Sequence, residues 1–270
     1  MERDDEATRC NRLNWDERAG IHGQDRYYDT AGFLAGGSSL REAELSLAGD
    51  VEGRKLLHLQ CHTGLDTLSW ARRGAEVTGL DFSPVAVRRA RELAERAGLT
   101  AAFVEGDARR LPPELHGRFD VVVATYGVFT WIDDVAAWAA SAAAALRPGG
   151  RLVVVDIHPL AQMIDRADPL VVDASYANTG PQHFRSETSY ADPSTPLRHQ
   201  ETVQWSHSLG EIVSAVAGAG LAVEALEEYL SSDRDDREQV LQQGPDGRWR
   251  LPIWPHDLPV LFGLAAVKPA

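Results

Sequence analysis

The stretch LLHLQCHTGLDTLSWARRGAEVTGLD, Leu56 to Asp81, decides how this chain folds. It reads as a buried strand, a turn, an amphipathic helix and a second strand that ends in an acid. Strands alternating with helices imply a parallel sheet covered on both faces. In such sheets ligands bind beyond the carboxyl ends of the strands, where the turn Gln60-Cys61-His62-Thr63-Gly64 lies.

Working outward, the alternation continues to Asp156, with strands expected at 55–60, 76–81, 101–105, 119–124 and 151–156. Ser83-Pro84 supplies an N-cap and a first-turn proline, and Gly98 ends that helix. Val135, Trp138, Ala142 and Ala145 repeat at helical spacing until Arg147-Pro148-Gly149-Gly150. After Asp156 the pattern breaks into a polar stretch with strands near 184–190 and 199–206. Ser208-Leu209-Gly210-Glu211 reads as a capping box opening a helix that Gly220 closes. Strands near 222–229 and 259–267 follow, and the charged run SSDRDDREQVLQQGPDGRWRLP between them reads as a solvated hairpin. The expectation is an α/β Rossmann-like, doubly wound seven-stranded sheet, mostly parallel with the last strand antiparallel. Residues 1–50 form an N-terminal arm, 51–159 the cofactor-binding core, 160–206 a substrate-lid insertion and 207–270 the C-terminal part of the core.

Composition bounds the function. With 44% hydrophobic and 25% charged residues among 270, the chain is that of an ordinary globular protein. It contains no run of eighteen apolar residues and no apolar leader, so neither a membrane span nor a secretory signal is expected. Two cysteines, Cys10 and Cys61, fit a reducing, cytoplasmic setting. A net charge of −13 disfavours nucleic acid, and Arg88, Arg89 and Arg91 read as a solvated helix face. The nine histidines show no metal-ligand spacing, so no metal is expected. Oligomeric state, monomer or homodimer, stays open.

The turn discriminates between cofactors. A dinucleotide needs glycine-rich backbone so that its pyrophosphate can reach the helix N-terminus. Here Gln60 and His62 stand where glycines usually occur, and Asp66 in the first helical turn would repel phosphate. Asp81, 17 residues beyond Gly64, is placed to accept both ribose hydroxyls of a nucleoside. A nucleoside without phosphate and with a cationic centre suits this turn, and S-adenosylmethionine has that chemistry.

Further landmarks agree: FVEGDA (Phe103–Ala108), FDVVVATYG (Phe119–Gly127) and LRPGG (Leu146–Gly150). In this order they resemble the class I S-adenosylmethionine-dependent methyltransferases. The stretch His58 to Ser83 is similar to a bacterial small-molecule branch with the first motif LQCHxGxDTLS, a group associated with secondary metabolism. WDERAGIHGQDRYYD and WSHSLGEIVSAVAGAGL also look like that branch. The resemblance implies that backbone from Gln60 through Cys61 and His62 to Gly64 holds the methionine portion; Asp66 is a further expected cofactor-binding residue. It implies Asp81 at the ribose, Phe82 on one adenine face, Asp107 and Ala108 at the adenine edge, and Thr125 beneath the methionine end, with Ser83 also among the cofactor-binding residues. The product would be S-adenosylhomocysteine. The chain departs from the broader family at His58, where an acid is common, and at Gln60 and His62.

The expected acceptor is a small molecule, methylated at a hydroxyl or carboxylate oxygen first and at nitrogen second. Positioning alone serves a carboxylate; a hydroxyl needs a base, for which His158 and His207 are candidates. Trp15, Arg18, His22 and Tyr28 in the arm, Tyr126 and Trp131 after the fourth strand, and Tyr190 in the insertion are candidates to close over the cofactor or line the acceptor pocket. Thr125-Tyr126 lacks the polar residue and Pro-Pro of amino-methylating enzymes and the acid of metal-dependent catechol methylation. The alternatives are a nicotinamide or flavin oxidoreductase, or a homologue that binds the cofactor without transferring methyl.

Overall fold

The computed structural model describes residues 3–22, 27–237, 240–253 and 256–270. Part of the WDERAGIHGQDRYYD motif, positions 23–26, therefore lies outside the described residues. Five strands and the helices between them follow the expected order: β1 (Lys55–Leu59), β2 (Glu76–Asp81), β3 (Ala102–Glu105), β4 (Phe119–Thr125) and β5 (Leu146–Ile157). Strands Ala222–Tyr229 and Leu261–Val267 complete a seven-stranded sheet. Its spatial order places β4 beside β1, so the chain reverses direction across the sheet between them and opens a crevice at their carboxyl ends. Leu261–Val267 runs antiparallel to β5 and to Ala222–Tyr229. β1, β4 and the Leu152–Asp156 part of β5 are buried nearly throughout, as strands covered on both faces must be.

Eight helices carry the described residues around this sheet: α1 (Arg3–Ile21), α2 (Thr30–Leu34), α3 (Glu42–Ala48), α4 (Leu65–Arg72), α5 (Pro84–Ala97), α6 (Val135–Ala145), α7 (Pro159–Gln162) and α8 (Leu209–Gly218). Local chemistry sets several of their ends. Ser83 accepts from Ala86 N, Asp134 from Ala137 N and Ser208 from Glu211 N, each satisfying a first-turn donor. Gly98 closes α5 in the left-handed conformation. Trp138 on α6 and Phe262 are fully buried and share one core with β1, β4 and β5.

Three expectations change in detail. The Glu211 carboxylate does not complete a capping box at Ser208; it lies 3.1 Å from His207 Nδ1. Arg89 and Arg91 are not simply solvated, because they donate to the carbonyls of Gly20 (2.9 Å) and Phe103 (2.5 Å). In the charged run, Asp236 is buried against Arg41, while Glu238 and Gln239 fall outside the described residues. A guanidinium from the arm thus draws part of that run inward.

Arm and insertion pack on each other. The Asn11 amide donates to Val203 O (2.7 Å) and accepts from Val203 N (2.8 Å), so one side chain takes the place of a neighbouring strand. Asn14 donates to His199 O, and Glu17 accepts from the backbone N–H groups of Arg198 and His199. No helix among the described residues is long and apolar enough to cross a membrane.

Candidate functional site

The crevice at the carboxyl ends of β1, β2 and β4 is a cavity roofed by the arm and the insertion. Its floor is the turn after β1. Gln60 has φ 54° and His62 φ 49°, the left-handed conformation that favours glycine. The glycine-like backbone is kept without the glycines, at a cost of about 1–3 kcal/mol for each such residue. Side-chain contacts hold it there. Gln60 Nε2–H donates to Val128 O (3.1 Å), and Trp138 Nε1–H donates to Gln60 Oε1 (3.0 Å). The Gln60 amide is therefore committed to the loop after β4 and to α6. His62 Nε2 lies 2.8 Å from His22 Nδ1, and His22 Nε2 lies 2.6 Å from Ser189 Oγ. Gly64 keeps φ 79°, and any Cβ there would meet Ala90 and Phe103 under 3.0 Å, so glycine is required.

Asp81 ends β2 beside this turn. Its Oδ2 accepts from His62 N (2.8 Å) and its Oδ1 from Ser83 N (2.9 Å). Each oxygen retains a lone pair, because a carboxylate has about four acceptor sites. Burial raises its pKa to about 6 against the opposing pull of those backbone donors. Asp66 is the second carboxylate: Ser39 Oγ donates to Oδ1 at 2.5 Å, and Thr125 Oγ1 stands 3.4 Å from Oδ2. Among the described residues neither Asp81 nor Asp66 has a lysine or arginine at ion-pairing distance. Asp107, by contrast, is held by Arg109 through Oδ2 at 2.7 Å and Oδ1 at 3.0 Å. Arg109 also pairs with Asp133 and Thr8, fastening α1 to this corner.

Two uncompensated carboxylates fit a ligand with ribose hydroxyls and a cationic centre. They do not fit a pyrophosphate, which Asp66 at the start of α4 would repel. The residues present thus suit S-adenosylmethionine, and of the atoms named, Asp81 matches a ribose and Asp66 a cation.

The cavity brings together most residues expected from the sequence. Gln60, Cys61, His62, Asp66, Asp81 and Phe82 line one part, and Asp107, Ala108 and Thr125 continue it. Trp15, Tyr28, Tyr126, Trp131 and Tyr190 line the remainder. Ser83 and Gly64 shape the turn from behind. His22 sits behind His62, is 3% exposed, and burial followed by the nearby His62 and Arg18 lowers its pKa to about 2. Burial and then Arg18 bring His62 to about 3, and burial brings His58 to about 4 despite Asp66.

Neither histidine expected to act as a base lines this cavity. His158 caps α7: its Nδ1 accepts from Leu160 N (3.1 Å) and its Nε2 lies 2.8 Å from Glu228. The contact with Glu228 turns the ring toward strand Ala222–Tyr229. His207 Nε2 bonds Ile132 O (2.6 Å), tying the start of α8 to the loop after β4. Lining residues that the sequence did not single out include Tyr27, Arg41 and Arg234. Arg41 stacks on Tyr126, 3.9 Å from the ring centroid, while the Tyr126 hydroxyl donates to Glu44 (2.6 Å). These contacts join residues far apart in the chain, so no local spacing announces them. Among the described residues no cluster of three or more His, Cys, Asp or Glu is placed to hold a metal.

Comparison with known proteins bears on this geometry. Residues 56–150 match a family described as a methyltransferase domain. A demethylmenaquinone methyltransferase of Thermus thermophilus is 38% identical over 122 residues, 44% of this chain and 54% of that protein. A ubiquinone biosynthesis O-methyltransferase of Alkalilimnicola ehrlichii is 33% identical over 105 residues, 39% of this chain and 42% of that one. The chain spans about half the length of the curated relatives it matches. In fold it is similar to an S-adenosylmethionine dependent methyltransferase of Mesorhizobium loti, with a TM-score of 0.61 and 22% identity over 87% of this chain and 100% of that one.

Proposed function

We propose that the protein transfers a methyl group from S-adenosylmethionine to an oxygen of a small organic acceptor, since residues 56–150 match a methyltransferase domain. The observation that carries this reading is the pair of carboxylates, Asp66 and Asp81, that face the cavity without basic partners. When bound, the sulfonium supplies an electrophilic methyl carbon and keeps the electron pair of the broken carbon–sulfur bond. The protein's part is to hold and to orient. Asp81 accepts from the ribose through the one free lone pair on each oxygen. Asp66, held by Ser39 and Thr125, balances positive charge at the methionine end. Phe82 and the Ala108 backbone flank the base.

The acceptor enters the part of the cavity walled by Trp15, Tyr126, Trp131 and Tyr190. Alignment of its nucleophile with the methyl carbon is the main contribution to rate, worth roughly 7–11 kcal/mol in favourable cases. The lining histidines are neutral and weakly basic: His58 and His62 are held well below an ordinary imidazole by burial. A weak base gains little by taking a proton from a hydroxyl. An oxygen that arrives already ionised needs none, which favours a carboxylate or an acidic hydroxyl.

Two measurements test the reading. Calorimetric titration with S-adenosylhomocysteine should give micromolar or tighter binding that NAD(P) and flavin do not compete for. Labelled methyl should then pass from S-adenosylmethionine into a metabolite pool. Failure to bind S-adenosylhomocysteine, or competition by NAD(P), refutes it; binding without any labelled product leaves a cofactor-binding protein that does not methylate.

A further inference from the structure

The acceptor end of the cavity has aromatic walls. Trp15 meets Trp131 edge-on with centroids 5.2 Å apart, and Tyr27 meets Tyr190 at 5.1 Å. Rings around an open space receive either a planar ring, by stacking, or a cation, over their faces. The guanidinium groups decide between these. Arg41 and Arg234 line the same space. Arg41 already covers Tyr126 at 3.9 Å, and Arg234 stands 5.6 Å from the Tyr27 centroid. A cationic acceptor would find these faces taken and would meet like charge.

Charge balance points the same way. Asp236 engages Arg41 through both oxygens, at 2.8 and 2.6 Å. Arg234 has no carboxylate at ion-pairing distance among the described residues. A third guanidinium, Arg18, is 7% exposed and donates to Asn14 (2.7 Å) rather than to an acid. It stands 5.6 Å from the ring centroids of both Trp15 and Tyr190. Among the described residues the cavity is thus polarised: Asp66 and Asp81 without cations at the turn after β1, and Arg18 and Arg234 without carboxylates beside the aromatic rings. Arg18 is buried and Arg234 half-buried, and a charge drawn from water without a partner carries a cost that a ligand of opposite sign relieves.

We propose that the acceptor is a planar aromatic anion, its ring held among Trp15, Tyr27 and Tyr190 and its acidic group facing Arg234. The proposal rests on the methyltransferase reading, which assigns the other end of the cavity to the methyl donor. It makes Arg234 a substrate-binding residue and Arg18 a positioning residue that sets the field behind the rings.

The test is calorimetry on protein first saturated with S-adenosylhomocysteine. Hydroxybenzoate and hydroxynaphthoate are titrated against their carboxamides, which match them in shape and lack the charge. At least one carboxylate should bind about tenfold or more tightly than its amide, the gain of one well-placed charge pair. Arg234→Gln should close that gap without changing S-adenosylhomocysteine affinity, and Arg234→Lys should restore part of it. Equal binding of acid and amide, binding of neither, preference for a trimethylammonium analogue, or a gap that survives Arg234→Gln overturns the proposal. A protein that fails to take up S-adenosylhomocysteine fails at the earlier step and refutes the methyltransferase reading instead.

Discussion

His22 Nδ1 and His62 Nε2 lie 2.8 Å apart, so a residue of the arm is hydrogen-bonded to the floor of the cofactor turn. Through its other nitrogen His22 reaches Ser189 in the insertion. His62, at a position where glycine is usual, is what allows this chain of contacts. His22→Ala should loosen the insertion by removing two buried hydrogen bonds, each worth about 0.5–1.5 kcal/mol. Amide exchange over residues 188–192 should speed up by roughly five- to a hundredfold, with exchange in β1 and β4 unchanged. Unaltered exchange in that segment would show that the histidine bridge does not hold it.

Asp81 should make cofactor affinity depend on pH. Its pKa near 6 belongs to the buried, ligand-free carboxyl, and hydroxyl donors need the ionised form. Binding therefore releases a proton below this value, and affinity for S-adenosylhomocysteine should fall up to about tenfold per pH unit as pH drops beneath 6. Above that value the dependence on Asp81 disappears. Asp81→Asn should flatten the profile and weaken binding by about 1–3 kcal/mol at neutral pH. A calorimetric series from acid to neutral pH reads both effects.

Gln60 offers a test of the turn. Gln60→Ala leaves Trp138 Nε1–H without its acceptor and keeps a side chain at φ 54°, so it should lower unfolding free energy by about 1–3 kcal/mol in urea. Gln60→Gly loses the same bonds yet relieves the backbone, and should recover about 1 kcal/mol of that. Equal losses in the two variants would mean that the left-handed conformation costs nothing here.

His158→Ala separates a structural histidine from a general base. Both ring nitrogens are used, at Leu160 N and Glu228, and the ring lies off the cavity. Turnover should change by less than about threefold, against the roughly 10²–10⁴ expected for loss of a base, while the melting temperature falls by a few degrees. A drop of a hundredfold in kcat with an unchanged fold would return His158 to the chemistry.

Much of this site was legible from local pattern. Strand ends, the N-caps at Ser83 and Ser208, and the acid at Asp81 obey rules that span a few residues, so the crevice and the cofactor half followed from spacing. His158 did not. A strand-end position tells which rim of the sheet a residue occupies, but the direction of its ring depends on partners, here Leu160 N and Glu228, the latter 70 positions away. Gln60 and His62 hid the turn's conformation, because the contacts stabilising it come from Val128, Trp138 and His22. The cations of the acceptor half were equally hidden: Arg41 and Asp236 are 195 positions apart, and their pairing exists only once arm and charged run meet.

The seam between Asn11 and Val203, and the meeting of the Tyr28 and Tyr190 hydroxyl groups, join two parts of the chain over one chamber. Anything traded with solvent across that seam must wait for the two pieces to unzip. For the proposed methyl transfer, a spent nucleoside leaving by that route would be released no faster than the stitching opens, whatever the rate of the bond exchange inside.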